Sequence, residues 1–309
     1  MSIGDIVILL GVAVWAVIAV KRDATLAGSL IDALCKAGQR DDFIDPKDAL
    51  PIISKRTLCI VVDTYQAGLV ESKEILEKCG RVAVIDHHRK GVGYIQNPDL
   101  VCHEPYSSSA SELVTELLQY VGERDDKPNR VEAEGLLSGI MLDTRDFTLH
   151  TGVRTFEAAA ALRRYGAETE RVRQLFDVTM VEYNAKAGLV EKAKMYRNCA
   201  ISIGGEVAAE ARVAIAQAAN DLLTIQGVDA SFVAVQVGTG VNVSARSLGA
   251  VNVQVIMESL GGGGHQTMAA AQLKHITPQA ARSRIQDAID QYYLSQKKTT
   301  PEARPAKGE

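Results

Sequence analysis

The 309-residue chain lacks the short motifs that mark several common enzyme classes. It contains no GxxxxGKS/T loop, no GxGxxG run followed by an acid, no HExxH and no GxSxG. These motifs are typical of P-loop nucleotide hydrolases, nicotinamide-dependent dehydrogenases, zinc proteases and serine hydrolases, respectively. The sequence therefore argues against each of these classes.

The chain also has no excess of positive charge, and it contains few cysteines. The formal net charge is −4 and the isoelectric point is near 5.9, whereas a general nucleic-acid binder carries a basic face. We therefore expect no duplex nucleic acid among the partners. The five cysteines are odd in number and show no CxxC spacing, which favours a reducing, cytoplasmic compartment over disulfides or a zinc site.

No hydrophobic run reaches the ~20 residues that a bilayer span usually needs. The longest covers residues 6–20, which are all apolar or glycine, and Lys21 and Arg22 follow it. The run also lacks the basic segment and cleavage site of a signal peptide. We predict a helix buried on both sides. The alternative is a membrane segment, in which case the two basic residues would keep the rest of the chain cytoplasmic.

What the sequence does contain is a series of apolar runs that end in acids. Residues 57–62 form a β-rich run before Asp63, and residues 82–85 form a second one before Asp86. A helix predicted over residues 70–79 connects the two runs. Because this pattern predicts a βαβ unit, both acids should lie at one edge of a parallel sheet, where open α/β sheets bind ligands.

Asp63, His87 and Asp143 are the candidate metal ligands. Each lies at or just past the end of an apolar run, so three separate segments could converge on one ion. A mixed set of carboxylates and imidazole suits manganese or iron better than calcium. Two such ions, about 3.5–4 Å apart, would activate a water molecule and neutralise charge on a phosphoryl group. The alternative is that each acid is a turn or cap residue.

Further features could bind an anion. The run Gly261-Gly262-Gly263-Gly264-His265 lets the backbone approach a ligand closely, and Arg246 could act as a fork for a phosphate. Ser108 belongs to a serine cluster before a predicted helix, whose free N–H groups could face an anion. The alternatives are a flexible turn, a surface arginine and a simple helix cap. The pattern suggests no partner for His103.

Composition and patterning predict an α/β fold with two domains. We expect a parallel-sheet domain over residues 1–178, a linker helix over 179–198 and a smaller α/β domain over 199–294. Residues 295–309, rich in Lys, Thr, Pro and Glu, are expected to form a disordered tail.

Four motifs together resemble the DHH phosphoesterase superfamily with its DHH-associated C-terminal domain. They are Val61-Val62-Asp63-Thr64, Ile85-Asp86-His87-His88, Leu142-Asp143-Thr144 and the glycine run that ends at His265. Within this superfamily the chain looks most like the catalytic half of the GdpP-type cyclic di-AMP phosphodiesterases. The similarity runs over residues 24–294.

The resemblance implies a parallel-sheet DHH domain, joined by the linker helix to the smaller domain, and a set of site residues. Asp63 would bridge two manganese ions, with His87 and Asp143 holding the second. His88 would lie against the substrate phosphate, and His88 and Asp86 are the candidate catalytic residues. The candidate substrate-binding residues are Arg246, Gly262, Gly263, Gly264, His265 and Ser108.

The implied reaction is hydrolysis of cyclic di-AMP to linear pApA. The resemblance further implies a cytoplasmic catalytic module, which full-length relatives anchor to the cell membrane, and it allows a homodimer.

The family pattern is not complete in this sequence. The family opens its catalytic domain with a His-x-x-x-Asp-x-Asp-Ser motif that supplies further metal ligands, and no histidine precedes His87 here. We therefore expect a module cut at or just inside its first motif, with impaired hydrolysis, because positioning and charge stabilisation carry phosphoryl transfer. The alternatives are a non-catalytic module that binds cyclic dinucleotides and a nanoRNase-like phosphodiesterase acting on short oligonucleotides.

Overall fold

The computed structural model describes residues 17–21, 27–89, 93–120, 127–206 and 212–299. The chain divides into two compact units, Met1–Asp177 and Val178–Glu309. The first unit contains a two-stranded and a three-stranded sheet, and the second contains a six-stranded sheet. Each unit has its own buried apolar core. Within the described ranges, no helix combines the length and the apolar character needed to cross a bilayer.

The strands, in chain order, are β1 Ile18–Ala19, β2 Phe43–Ile44, β3 Leu58–Val62, β4 Arg81–Asp86, β5 Leu100–His103, β6 Lys194–Tyr196, β7 Cys199–Glu206, β8 Ala230–Val237, β9 Gly240–Ser247, β10 Gly263–His265 and β11 Met268–Leu273. The helices are α1 Gly28–Leu34, α2 Pro46–Ala49, α3 Lys73–Lys78, α4 Ala110–Leu118, α5 Arg130–Asp143, α6 Val153–Arg164, α7 Thr169–Gln174, α8 Met180–Glu191, α9 Arg212–Leu222, α10 Val253–Ser259 and α11 Pro278–Thr299.

The first unit contains the predicted βαβ unit. Strands β3, β4 and β5 form a parallel sheet in that order, and α3 connects β3 to β4. The side chain of Ser72 accepts a hydrogen bond from the backbone of Ile75 and so begins α3 as its N-cap. Asp63 directly follows β3 and Asp86 ends β4, so both acids lie at the same edge of the sheet. The predicted α/β class is confirmed.

Helix α5 brings a third acid into the first unit's site. An N-terminal capping box between Asn129 and Glu132 begins the helix, and its central residues 133–140 are all buried. The helix ends at Asp143, which is half-buried, and the next residue, Thr144, is fully buried. Helices α4, α5 and α6 share an apolar core. Its largest fully buried side chains are Leu118, Leu137, Ile140 and Leu162.

The start of the chain differs from the prediction where the structure describes it. A helix was expected over residues 6–20, of which residues 6–16 lie outside the described ranges. Ile18 and Ala19 instead form β1, which pairs in parallel with β2. Val20 packs into a small core with residues of α1. Because β-branched residues suit a strand as well as a helix, an apolar run by itself did not distinguish the two.

The second unit is built on a six-stranded mixed sheet in the order β10-β11-β9-β8-β7-β6. Strands β7 and β8 pair in parallel, and the other neighbours pair antiparallel. Apolar cores lie on both faces of the sheet. One includes Phe232, Ile256, Ile285 and Ile289, and the other includes Leu189, Ala218, Leu222 and Val233.

Two boundaries in the second unit differ from the predicted ones. The linker helix was expected over residues 179–198, but α8 ends at Glu191 and residues 194–196 form β6, which pairs with β7. Hydrogen bonds to the neighbouring strand override the local helical pattern there. The tail was expected to be disordered from Ser295, but α11 continues to Thr299; residues 300–309 lie outside the described ranges.

Candidate active site

Three segments of the first unit bring candidate ligands together. His87 Nε2 lies 3.2 Å from Asp63 Oδ1 and 3.7 Å from Asp143 Oδ2. The three residues come from the end of β3, the end of β4 and the end of α5. The convergence predicted from the ends of apolar runs is therefore present in the fold.

The backbone fixes the imidazole of His87. Its Nδ1 lies 3.3 Å from the carbonyl oxygen of Ser107, which can only accept a hydrogen bond. Nδ1 therefore carries a proton in this arrangement, and Nε2 faces the two carboxylates. A ring held in this way presents Nε2 as a metal ligand, because a backbone carbonyl is a common partner for the second nitrogen.

The charges around His87 compete. Burial disfavours its protonated form, but hydrogen bonding and charge from Asp63, together with the charge of Asp143, outweigh burial and raise its pKa above the usual value. In the absence of a cation, a proton on Nε2 offsets part of the negative charge of the two carboxylates. A divalent cation would replace this proton, because metal ligation requires neutral imidazole.

Asp63 has two properties that suit a ligand. It is 5 % exposed, and its Oδ1 accepts no hydrogen bond of normal geometry from the described residues. Its backbone φ is +64°, in the left-handed region that non-glycine residues rarely occupy. Strained backbone of this kind clusters at functional sites. A buried carboxylate oxygen that has only the imidazole of His87 beside it, without a well-aligned hydrogen bond, fits a cation, so the residues present suit a metal ion.

Asp86 supports its neighbours through one carboxylate oxygen. It is fully buried, and its Oδ1 accepts hydrogen bonds from the backbone N–H groups of His87, at 2.8 Å, and His88, at 3.2 Å. The same oxygen lies 2.7 Å from His88 Nδ1. This hydrogen bond outweighs burial and raises the pKa of His88. Each of Asp63, His87 and His88 offers one ligand atom within 4.8 Å of the others, a grouping that includes neither Asp86 nor Asp143.

Ser108 is directed towards a buried acid. Its N–H and its hydroxyl both donate to Oε2 of Glu112, which is 1 % exposed. The neighbouring Ser109 caps α4 by accepting from the backbone of Glu112. These bonds shape the loop whose Ser107 carbonyl holds His87. Sequence reasoning missed Glu112, although the spacing Ser109-x-x-Glu112 is the signature of a capping box and could have revealed it.

In the second unit, the structure places Arg246 and His265 in one row of the sheet. Met268 pairs with both residues across neighbouring strands, so the three side chains lie on the same face. His265 is exposed and Arg246 is half-buried. The guanidinium Nη1 donates to Ser244 Oγ at 3.1 Å and to the Ala245 carbonyl at 2.9 Å. A cation held at the sheet surface in this way suits an anionic ligand.

The glycine run has a packing reason of its own. A Cβ on Gly262 would lie 2.1 Å from the carbonyl oxygen of Ala270, and one on Gly264 would lie 2.5 Å from the Cα of Ala269. Both glycines therefore allow the close approach of β10 to β11. Gly263 differs, because no atom lies within 4 Å of its would-be Cβ. Gly261, at φ +79°, likewise has no atom within 4 Å of its would-be Cβ. Within β10, Gly263 leaves open space that a ligand could use.

Comparisons with known proteins match both units. The model of the DHH family, N-terminal domain, matches residues 13–140, and the model of the DHHA1 domain matches residues 206–294. The chain therefore belongs to the DHH family and carries a DHHA1 domain, which confirms the family resemblance.

Three of the similar curated relatives are named as cyclic-di-AMP phosphodiesterases. GdpP of Geobacillus thermodenitrificans is 47% identical over 277 residues, which cover 89% of this chain and 42% of the relative. PdeA of Listeria monocytogenes is 43% identical over 254 residues, which cover 82% of this chain and 38% of the relative. The chain thus spans about two fifths of the length of these relatives.

A solved structure shares the fold. An exopolyphosphatase-related protein from Bacteroides fragilis superposes with a TM-score of 0.74 at 20% identity, covering 86% of this chain and 82% of that one. At this identity the likeness establishes the architecture alone.

Proposed function

We propose that this chain is the catalytic part of a metal-dependent phosphodiesterase that hydrolyses cyclic di-AMP to pApA. The observation that carries the proposal is the convergence of Asp63, His87 and Asp143 around one point of the sheet edge. The named activity of the 43–47% identical relatives supports the substrate.

Manganese is the metal we propose, with two ions as the family resemblance implies. Asp63, His87 and Asp143 would hold an ion, since their donor set of carboxylates and imidazole suits manganese. When bound, the metal supplies Lewis-acid stabilisation of phosphoryl charge and a nucleophile at neutral pH. The Ser107 carbonyl keeps the Nδ1 proton of His87 in place, so that Nε2 remains the ligating atom.

His88 is the proposed phosphate contact. Asp86 holds its Nδ1, and about half of the imidazole side chain is exposed, so Nε2 is the nitrogen left to face a substrate. Because Asp86 raises the pKa of His88, the imidazolium is more populated near neutral pH than in a free histidine. A charged imidazole can donate a proton and a charge-assisted hydrogen bond to a phosphate oxygen.

The second unit would bind the nucleotide. We propose that Arg246 and His265 contact a phosphate from the same row of the sheet, and that Gly263 permits close approach of the ligand. The exposed position of His265 and the open space at Gly263 support these roles.

The test is hydrolysis of cyclic di-AMP by the full chain with manganese, followed by chromatographic separation of pApA. We expect turnover that falls by at least about 100-fold in Asp143→Asn, because electrostatic stabilisation is lost. Asp48→Asn, an exposed acid of α2, is the matched control and should retain full activity.

Three outcomes would contradict the proposal. Full activity in Asp143→Asn would remove this acid from the site. Binding of cyclic di-AMP without cleavage would indicate a non-catalytic module, and cleavage of short oligonucleotides alone would indicate a nanoRNase-like enzyme.

A further inference from the structure

Two side chains bind the backbone of the segment that carries His88. His103, the last residue of β5, has its Nε2 at 2.6 Å from the carbonyl oxygen of His88. The hydroxyl of Tyr65, two residues after Asp63, donates to the carbonyl oxygen of Arg89 at 2.7 Å. Consecutive carbonyls beyond the end of β4 are thus each bound by a side chain from a neighbouring segment.

The two side chains also contact each other. The rings of Tyr65 and His103 meet edge to face, with centroids 5.9 Å apart and an interplanar angle of 85°. Tyr65 is 6 % exposed and packs into the apolar core of the sheet. Because a carbonyl only accepts, His103 must carry a proton on Nε2. A buried tyrosine, a histidine and the two carbonyls therefore form one connected contact, which we name the carbonyl clamp.

The clamp acts on the part of the site that most needs positioning. His88 is 46 % exposed in its side chain, and Asp86 holds only one of its ring nitrogens. The direction of the imidazole therefore also depends on how the backbone of residues 88 and 89 is oriented. Active-site groups tolerate displacements of only a fraction of an ångström before the rate falls.

We propose that Tyr65 and His103 are positioning residues, which fix the backbone at His88 and so aim its imidazole at the substrate phosphate. The proposal rests on the proposed function of His88. It assigns no contact with substrate or metal to either clamp residue.

The first test uses the protein without metal or substrate. Hydrogen exchange of the backbone amides of His87 and His88, which donate to Asp86, reports how firmly the segment is held. In Tyr65→Phe and in His103→Leu we expect both amides to exchange about 10-fold faster, the scale expected when one hydrogen bond is lost. Amides within β3 should keep their rates. Unchanged exchange at His87 and His88 in both variants would overturn the proposal.

The second test measures catalysis. Both variants should lower kcat by about 10–100-fold. KM and manganese affinity should stay within twofold of the wild-type values, because the side chains of Tyr65 and His103 contact neither the proposed metal-ligating side chains nor the nucleotide. His103→Gln, whose amide can again donate to the carbonyl, should recover most of the lost kcat. Tyr106→Phe removes a hydroxyl from a 94 % exposed side chain and is the control for Tyr65→Phe.

The outcomes separate the clamp from the proposed function. The wild-type chain could fail to hydrolyse cyclic di-AMP while the amides of His87 and His88 exchange faster in the clamp variants. This combination would support the clamp and contradict the proposed phosphodiesterase activity. An active wild type whose clamp variants lose manganese affinity as much as kcat would contradict the clamp, because general damage to the site would then explain the loss. Failure of His103→Gln to restore kcat would also count against it.

Discussion

Gly264 and Gly263 should respond oppositely to the same substitution. In Gly264→Ala the new Cβ would lie 2.5 Å from both the Cα of Ala269 and the carbonyl oxygen of Met268. Both are backbone atoms of β11 and cannot rotate away. The φ of Gly264 is +148°, which an alanine rarely adopts. Strand β10 must therefore move away from β11, or the backbone must change conformation.

The two penalties can be added roughly. Overpacking typically costs about 1–3 kcal/mol. A non-glycine residue in disfavoured backbone geometry costs a further ~1–3 kcal/mol. Gly264→Ala should therefore lower the free energy of unfolding of the second unit by about 2–6 kcal/mol. In Gly263→Ala no atom meets the new Cβ, so stability should stay the same or rise by about 0.5 kcal/mol, because the unfolded chain loses freedom.

Urea unfolding followed by circular dichroism measures the stability of the full-length variants. Hydrogen exchange by mass spectrometry would assign the change to β10 and β11. Calorimetric titration with cyclic di-AMP then shows whether each variant loses affinity for the ligand as well as stability. If Gly263 leaves room for the ligand, Gly263→Ala should weaken binding at least about 10-fold without loss of stability, since a methyl group would block close approach.

Gly264→Ala should lose both stability and binding. A stable Gly264→Ala, within about 0.5 kcal/mol of wild type, would refute the packing of β10 on β11. Normal binding of cyclic di-AMP by Gly263→Ala would refute the proposal that Gly263 permits close approach of the ligand.

Further predictions concern the first unit and helix α8. Burial and the neighbouring thiol raise the pKa of Cys59 to about 12, so iodoacetamide at pH 8 should label it about 1000-fold more slowly than in urea, as mass spectrometry would show; equal rates would contradict its burial. Asp86→Asn should lower the pKa of His88 in an NMR titration. Because the pKa of His88 is raised in the folded state, its contribution to the free energy of unfolding is fully present below the pKa of the unfolded chain and disappears as the pH rises through the folded-state pKa. Asp86→Asn should therefore be more destabilised at pH 5.5 than at pH 9. The reverse order would contradict the hydrogen bond between Asp86 and His88. Gly139→Ala, whose Cβ would lie 2.1 Å from a serine hydroxyl of α4, should destabilise by about 1–3 kcal/mol, whereas Gly188→Ala in open space should stabilise by up to ~1 kcal/mol; calorimetric melting that shows equal effects would contradict the packing of α5 on α4.

Local signals in the sequence were sufficient for the sheet of the first unit. The runs before Asp63 and Asp86 are β-branched, continuous and joined by a helix-length segment, so strand pairing and the common edge follow from the handedness of βαβ units. Serine caps similarly fixed the start of α4. The position of the candidate ligands was predictable because it follows from the ends of elements.

Contacts between distant segments were not predictable in the same way. The bonds from Tyr65 and His103 to the carbonyls depend on how the segments after β3 and β4 lie against the end of β5, and no spacing in the sequence records this. The strand β6 was missed because its pairing with β7 is formed only in the folded sheet. The glycine run was predicted to let the backbone approach a ligand. The structure shows that Gly262 and Gly264 are also required for the backbone to pack against β11.

The most direct test of the central claim is a manganese titration of the full chain, followed by electron paramagnetic resonance of the free ion. We expect saturable binding by the wild type and a loss of affinity of at least about 10-fold in Asp63→Asn, because a ligand that faces His87 is removed. Failure of the wild type to bind manganese, or equal binding by the variant, would contradict the claim that these side chains form a metal site.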